Sequence, residues 1–186
     1  MTQAIHATLT GHPDNPPGGV QRIGVTLLLK PDGSLKLAYS IHGPGNCLRI
    51  PTADNPAPAD ALWQTTCCEL FIGAGNGAGY REFNFSPSGQ WAAYDFGAYR
   101  KKTSAPPRLP APSLWSGYYD NRLQLDATLP AAALPAGEIL SCALAVVVAA
   151  HDGRLGYWAL AHPAGQPDFH HPGSFTLCLD RTGMPA

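Results

Sequence analysis

Short apolar segments recur along the chain and are separated by glycine, proline and asparagine. A β-sandwich produces this pattern, because its strands are short, alternate in polarity and end in turns. We therefore expect an all-β fold of about ten strands in two antiparallel sheets. The predicted strands cover residues 4–9, 23–29, 35–42, 66–72, 80–85, 90–96, 123–129, 140–150, 157–162 and 175–179.

Two tight turns favour antiparallel pairing between neighbouring segments. Residues 30–34 (KPDGS) and 86–89 (SPSG) each combine a proline, which fixes φ, with a glycine, which accepts a positive φ. Residues 43–60 and 104–115 are too rich in proline for strands, and we expect long loops there. Helix is a minor component, because only residues 130–134 indicate a short one.

One segment is apolar throughout. Residues 142–150 (CALAVVVAA) are β-branched at their centre, which is typical of a strand that is buried on both faces. The residues expected in the core of the sandwich include Phe83, Phe85, Val146 and Val148.

Polar side chains follow one face of the predicted hairpin at residues 80–96 (YREFNFSPSGQWAAYDF). Alternation places Glu82 and Asn84 on that face and turns the phenylalanines of the same strand towards the core. The alternative to a ligand site is a solvated face on which Glu82 forms an ion pair with Arg100. A pocket is expected if nearby aromatic residues wall this face, namely Tyr80, Trp91, Tyr94 and Tyr99.

A further carboxylate lies in the segment at residues 62–72 (LWQTTCCELFI). Glu69 shares its strand face with apolar neighbours, and buried carboxylates are rare unless they are paired. We therefore expect Glu69 either to face the same polar cavity as Glu82 or to bind a loop amide or an arginine. Trp63, which precedes this strand, is either a core residue or a ligand platform. A glycoside hydrolase that uses Glu69 and Glu82 as its pair of carboxylates is a further alternative.

Histidines and an aspartate cluster in a predicted loop within residues 156–175. The adjacent His170 and His171 do not have the spacing of a compact zinc site, and we expect no metal there. We expect instead a loop that is folded by side-chain hydrogen bonds of Asp168 and these histidines.

The composition argues against several classes of partner. The formal net charge is −1 and no basic run exceeds residues 100–102 (RKK), so neither nucleic acid nor an anionic membrane is expected. No signal-peptide pattern is found, and we expect a cytoplasmic protein. The five cysteines lack CxxC spacing and are expected to be reduced and mostly buried.

Three features together resemble the DOMON-like proteins, which are relatives of the family-9 carbohydrate-binding modules. They are Trp63 followed by Glu69, the hairpin at residues 80–96, and the late segment YWALAHPAGQPDFHH at residues 157–171. The resemblance covers nearly all of the chain. It implies a single immunoglobulin-like antiparallel β-sandwich domain, residues 1–186, that binds sugar or haem.

By this resemblance, Trp63 matches an aromatic residue that stacks on a sugar ring, Glu69 matches an acid that binds sugar hydroxyls, and Trp158 matches a second platform. The chain departs from the relatives at Thr66, where they often have an acidic residue. The implied function is non-catalytic binding of a sugar or a similar polyhydroxylated molecule, with no catalytic residue and no metal. The expected ligand-binding residues are Trp63, Glu69, Glu82, Asn84, Trp91, Arg100 and Trp158.

Haem is the alternative ligand, and a protein partner is a further one. The haem-binding relatives hold iron through two axial ligands, typically Met or Lys with His. The methionines of this chain are Met1 and Met184, near its ends. The remaining candidates for axial ligands are His42, His151, His162, His170 and Lys101.

Overall fold

Strands form where apolar and polar side chains alternate, so that every second residue faces the core. The computed structural model describes residues 3–15, 19–52, 56–75, 77–105 and 107–182. These residues contain twelve strands. The strands are β1 (Gln3–Gly11), β2 (Arg22–Leu29), β3 (Leu35–His42), β4 (Cys67–Ala74), β5 (Tyr80–Phe85), β6 (Trp91–Ala98), β7 (Lys101–Lys102), β8 (Ser113–Tyr119), β9 (Arg122–Leu129), β10 (Ile139–Ala149), β11 (Leu155–Ala159) and β12 (Leu177–Asp180).

The strands pair antiparallel and form two layers. One layer has the order β1-β2-β3-β9-β8, and the other has the order β7-β6-β5-β4-β10-β11, with β12 paired to β10. β1 joins the layers, because its last residues, Thr10 and Gly11, pair with β11 while the rest of the strand pairs with β2. The predicted antiparallel β-sandwich is therefore confirmed.

Two apolar clusters lie on opposite faces of the second layer. The main core fills the space between the layers and contains Phe83, Phe85, Val146 and Val148, as predicted. The second cluster covers the outer face of the same sheet, so that β10 is buried on both faces over residues 143–149, again as predicted. The outer cluster lies beneath the loop that follows β11 and positions the site described below.

The structure corrects the prediction for residues 104–115. β8 begins at Ser113, so the end of the expected loop is a strand, and the short strand β7 precedes the loop. Among the described strands, β8 pairs only with β9 and is an edge strand whose residues are all at least partly exposed. Its side chains therefore lack the apolar alternation that marks the inner strands.

Met1 and Met184 lie outside the described residues.

Helical structure among the described residues consists of short 3₁₀ turns, one of which, Ala131–Ala133, falls in the predicted helical segment. No helix in this part of the chain has the length and apolar character needed to cross a membrane.

The turn between β2 and β3 requires a glycine. Gly33 has φ of +77°, and the Asp32 carboxylate accepts hydrogen bonds from the Ser34 amide and hydroxyl at 3.0 and 2.6 Å. We expect Gly33→Ala to lower the free energy of unfolding by about 1–2 kcal/mol, because a Cβ is disfavoured in left-handed backbone. Urea denaturation measures this loss. Gly97→Ala is the control, since nothing lies within 4 Å of an added Cβ there; equal losses in both variants would contradict the explanation.

Candidate functional site

A cavity of about 420 Å³ lies on the outer face of the second layer. Strands β4, β5, β6, β10 and β11 contribute to it, together with the 3₁₀ turn Leu62–Gln64 and the loop that follows β11. The lining residues are Trp63, Gln64, Glu69, Glu82, Tyr94, Phe96, Arg100, Lys102, Val147, Leu155, Tyr157, Pro167, Phe169 and His170.

Two carboxyl groups lie close together in this cavity. In the register of β4 and β5, Glu69 is directly opposite Asn84. Glu82 precedes Asn84 by two residues and shares its face, so the two glutamates are diagonal neighbours across the strand pair. Glu69 is 3% exposed and Glu82 is 5% exposed. Both carboxyl groups therefore reach the same space with little contact with bulk water.

Burial raises the pKa of both carboxyl groups. It raises the pKa of Glu82 to about 7, although the hydrogen bond from Asn84 and the charges of Lys102 and Arg100 oppose the shift. The pKa of Glu69 lies well above its usual value, first because of burial and then because of the negative charge of Glu82. Glu69 therefore keeps its proton at a higher pH than an exposed glutamate does.

Asn84 forms a hydrogen bond with one member of this pair, Glu82. The residue is fully buried, and its Nδ2 donates a hydrogen bond of 2.8 Å to Oε1 of Glu82. Its Oδ1 has no hydrogen-bond partner among the described residues. Asn84 does not line the cavity, so its observed contact is with Glu82, whose orientation it fixes.

An exposed tryptophan forms part of the cavity wall. Trp63 is 41% exposed and packs edge-to-face against Tyr94, with ring centroids 5.9 Å apart. The Tyr94 hydroxyl donates to the carboxylate of Asp60, and Nζ of Lys102 lies 3.6 Å from the centroid of the Tyr94 ring. Tyr94 is thus held from two sides, which fixes the ring against which Trp63 packs.

The loop after β11 is fixed by Asp168. Its carboxylate accepts hydrogen bonds from the Tyr99 hydroxyl, from the Arg100 guanidinium at 2.7 Å and from the backbone N–H of His170 at 3.1 Å. The Nδ1 atom of His171 accepts from the backbone N–H of Gly173. The predicted folding of this loop by side-chain hydrogen bonds is therefore confirmed, and Arg100 forms its ion pair with Asp168 rather than with Glu82.

Removing the Asp168 carboxylate is expected to loosen this loop. Charge-assisted hydrogen bonds contribute about 1.5–3 kcal/mol each, so Asp168→Ala should speed backbone hydrogen exchange at residues 168–175 by about tenfold or more. Mass spectrometry of exchanged peptides measures this rate. Asp152→Ala is the control, because Asp152 forms a comparable ion pair with Arg154 on an exposed turn. Unchanged exchange in Asp168→Ala would show that aromatic packing alone holds the loop.

Four of the seven residues expected to bind ligand line the cavity. They are Trp63, Glu69, Glu82 and Arg100, and Asn84 contacts one of them from below.

Trp91 and Trp158 face the other side of the sheet, which corrects the expectation of one surface formed by all seven residues. Trp158 lies opposite Val146 in the register, and its ring belongs to the main core. Trp91 lies opposite Phe85 and packs against the same core. In β11 the outward residue is Tyr157, one position before Trp158, and it lines the cavity.

Several lining residues were not predicted to bind a ligand, among them Lys102, Tyr157, Phe169 and His170. Strand alternation identifies Tyr157 only once the phase of β11 is known. Phe169 and His170 come from a loop, and their approach to the sheet depends on the contacts of Asp168. The orientation of Trp91 could have been predicted from the turn at residues 86–89. Antiparallel pairing across this turn places Trp91 opposite Phe85, so that Trp91 faces the core as Phe85 does.

The residues considered as haem ligands do not form an axial pair. His170 alone among them lines the cavity. His42 lies beside Arg22, and His162 contacts the backbone of Thr10 and the ring of His12. Two axial ligands must face one space from opposite sides, so this set does not fit haem. Within the described ranges, no group of three His, Cys, Asp or Glu residues is arranged to hold a metal ion.

No protein-family model and no curated protein matches the chain. Its fold is similar to that of a candidate carbohydrate-binding protein from Bacteroides uniformis ATCC 8492, with 15% identity, coverage of 95% of this chain and 85% of the other, and a TM-score of 0.64. It is also similar to a family-9 carbohydrate-binding module from Caldicellulosiruptor kristjanssonii in complex with cellotriose, with 13% identity, coverage of 77% and 67%, and a TM-score of 0.51.

At these identities the similarity concerns the fold. The predicted relation to family-9 carbohydrate-binding modules and the narrower resemblance to DOMON-like proteins both stay predictions. The chain thus has the β-sandwich fold found in two structures whose names refer to carbohydrate binding.

Proposed function

We propose that this protein is a non-catalytic module that binds a saccharide in the cavity on the outer face of the second layer. The observation that carries the proposal is the combination of an exposed aromatic ring, Trp63, with the paired carboxyl groups of Glu69 and Glu82 in one cavity. Sugars have apolar C–H faces that pack on aromatic rings, and hydroxyl groups that require hydrogen-bond partners when they leave water.

The hydrogen-bonding capacity of the cavity suits a ligand with several hydroxyl groups. Glu69 makes no hydrogen bond through its carboxyl group to the described residues, and Oε2 of Glu82 lies 3.8 Å from Nε2 of His170, which is beyond hydrogen-bonding distance. A buried polar group without a partner costs about 1–3 kcal/mol. Ligand hydroxyls would satisfy these groups, and the cellotriose complex of the structurally similar module supports a saccharide as their source.

Calorimetric titration with glucose, galactose, mannose, xylose, cellobiose and cellotriose tests the proposal. We expect saturable binding of at least one of these sugars by the parent protein, weakened about tenfold or more in Glu69→Met, which keeps the size of the side chain and removes its oxygens. Glu138→Met is the control, because Glu138 is exposed and outside the cavity. No binding by the parent, or equal binding by both variants, would contradict the proposal.

The paired glutamates are also what the hydrolase alternative requires. Turnover separates the two functions, since a binding module holds its ligand without cleaving it. We expect no release of nitrophenol from nitrophenyl glycosides beyond that of the Glu82→Gln variant. Release that depends on Glu82 would replace the binding module with a hydrolase.

A further inference from the structure

His170 lies at the wall of the cavity in a well-defined environment. The centroid of its ring lies 5.0 Å from the ring centroid of Phe71 and 5.0 Å from that of Phe96, and both contacts are edge-to-face. Burial, together with the positive charge of Arg100, lowers the pKa of His170 to about 4. The imidazole is therefore neutral near pH 7, and one of its nitrogen atoms carries a hydrogen while the other does not.

A chain of hydrogen bonds favours one of the two ring nitrogens as the site of this hydrogen. The backbone N–H of Arg100 donates to the hydroxyl oxygen of Tyr80 at 3.2 Å, and the same hydroxyl lies 2.8 Å from Nδ1 of His170. Among the described residues, Nδ1 is the one acceptor available to the Tyr80 hydroxyl hydrogen. With Nδ1 accepting that hydrogen, a neutral imidazole must carry its own hydrogen on Nε2.

The Nε2–H group then faces Glu82 across a gap. Nε2 lies 3.8 Å from Oε2 of Glu82, which is too far for a direct hydrogen bond. Because His170 is neutral, the contact is not an ion pair. A single oxygen atom placed between the two groups would lie within hydrogen-bonding distance of both. Burial raises the pKa of Glu82 to about 7, so above that pH its carboxyl group is ionised. The bridging oxygen must then accept from Nε2–H and donate to the carboxylate, and a hydroxyl group can do both.

We propose that His170 and Glu82 bind one hydroxyl group of the ligand together, with His170 as a fixed Nε2–H donor, Glu82 as the acceptor and Tyr80 as the residue that sets the tautomer. This inference rests on the proposed function and adds the specificity determinant of the same cavity. The pair selects a free hydroxyl over an ether or a missing oxygen at one ligand position, because either change leaves a buried group unpaired. Tyr80 acts as a positioning residue.

The tautomer is measured on the free protein, without any ligand. Nitrogen-15 NMR of the histidine rings at pH 7 should show His170 with hydrogen on Nε2 and none on Nδ1, assigned by loss of its signals in His170→Gln. In Tyr80→Phe, which keeps the stacking of this ring on Phe96, we expect a mixture of tautomers. His151, on an exposed turn, is the control for a ring that is not fixed. A hydrogen on Nδ1 of His170 in the parent would overturn the proposal.

The role in binding is measured with the member of the sugar panel that has the smallest Kd for the parent. We expect His170→Leu to weaken binding about tenfold or more, and His170→Gln, whose amide places a donor near the position of Nε2, to weaken it by about threefold or less. His151→Leu is the matched control. Equal affinity of parent and His170→Leu would overturn the proposal while leaving sugar binding intact. If the parent bound none of the sugars, both the proposed function and the role of His170 and Glu82 in binding would be contradicted, even if the tautomer were as expected.

Discussion

Replacing Trp63 with alanine is expected to weaken saccharide binding by about thirtyfold. Aromatic residues at the centre of a binding site commonly contribute about 2 kcal/mol or more when they are truncated, and this corresponds to about thirtyfold in Kd. The ring is 41% exposed in the free protein, so its removal affects the free energy of unfolding far less than ligand binding. Titration calorimetry measures the affinity, and thermal denaturation checks that the variant is folded.

Trp115→Ala is the matched control for this substitution. Trp115 is 54% exposed and lies in β8, on the other layer of the sandwich. The Trp115→Ala variant should therefore bind the same saccharide with the affinity of the parent. A loss in Trp115→Ala that equals the loss in Trp63→Ala would show that the cavity is not the binding site.

Glu82→Gln is expected to stabilise the protein by about 3 kcal/mol at pH 8 and to leave its stability unchanged at pH 4. Burial raises the pKa of Glu82 from 4.5 to about 7, and each tenfold change in proton affinity corresponds to about 1.4 kcal/mol. The folded parent thus holds a proton between these pH values that the unfolded chain has released, so its stability falls as the pH rises through this window. Glutamine carries no charge at any pH and avoids this loss.

Urea denaturation of both proteins at pH 4, 6 and 8 measures the difference in the free energy of unfolding. The gap should be absent at pH 4, partial at pH 6 and full at pH 8. Glu138→Gln is the control, since Glu138 is exposed and should show no such trend. A stability difference that is the same at all three pH values would show that Glu82 is not a buried acid with a raised pKa.

Local alternation was sufficient to predict much of the sheet around the site. Phe83 and Phe85 lie in the main core, which leaves Glu82 and Asn84 on the opposite face of β5. This prediction succeeds because side chains in a strand point to opposite faces in strict alternation, whatever the rest of the fold does. The burial of β10 on both faces could also be predicted from the sequence, because a strand without polar residues has no polar face to expose to solvent.

Alternation alone could not predict which residues of β11 face the cavity, or which loop residues reach it. Trp158 and Tyr157 are adjacent, and a choice between them needs the register of β11 against β10, which long-range pairing determines. His170 enters the cavity because Asp168 is held by Tyr99 and Arg100, residues about seventy positions away in the sequence. Such contacts leave no periodic trace in the sequence.

The most direct test of saccharide binding in this cavity uses the four tryptophans of the chain as probes. Each indole N–H gives its own signal in a nitrogen–proton NMR spectrum, assigned by single substitution. Titration with the panel sugar of smallest Kd should shift the Trp63 signal saturably and leave the signals of Trp158, in the core, and Trp115, on the other layer, in place. A saturable shift of Trp115 with Trp63 unchanged, or no shift of Trp63 at saturating sugar, would contradict the proposed site.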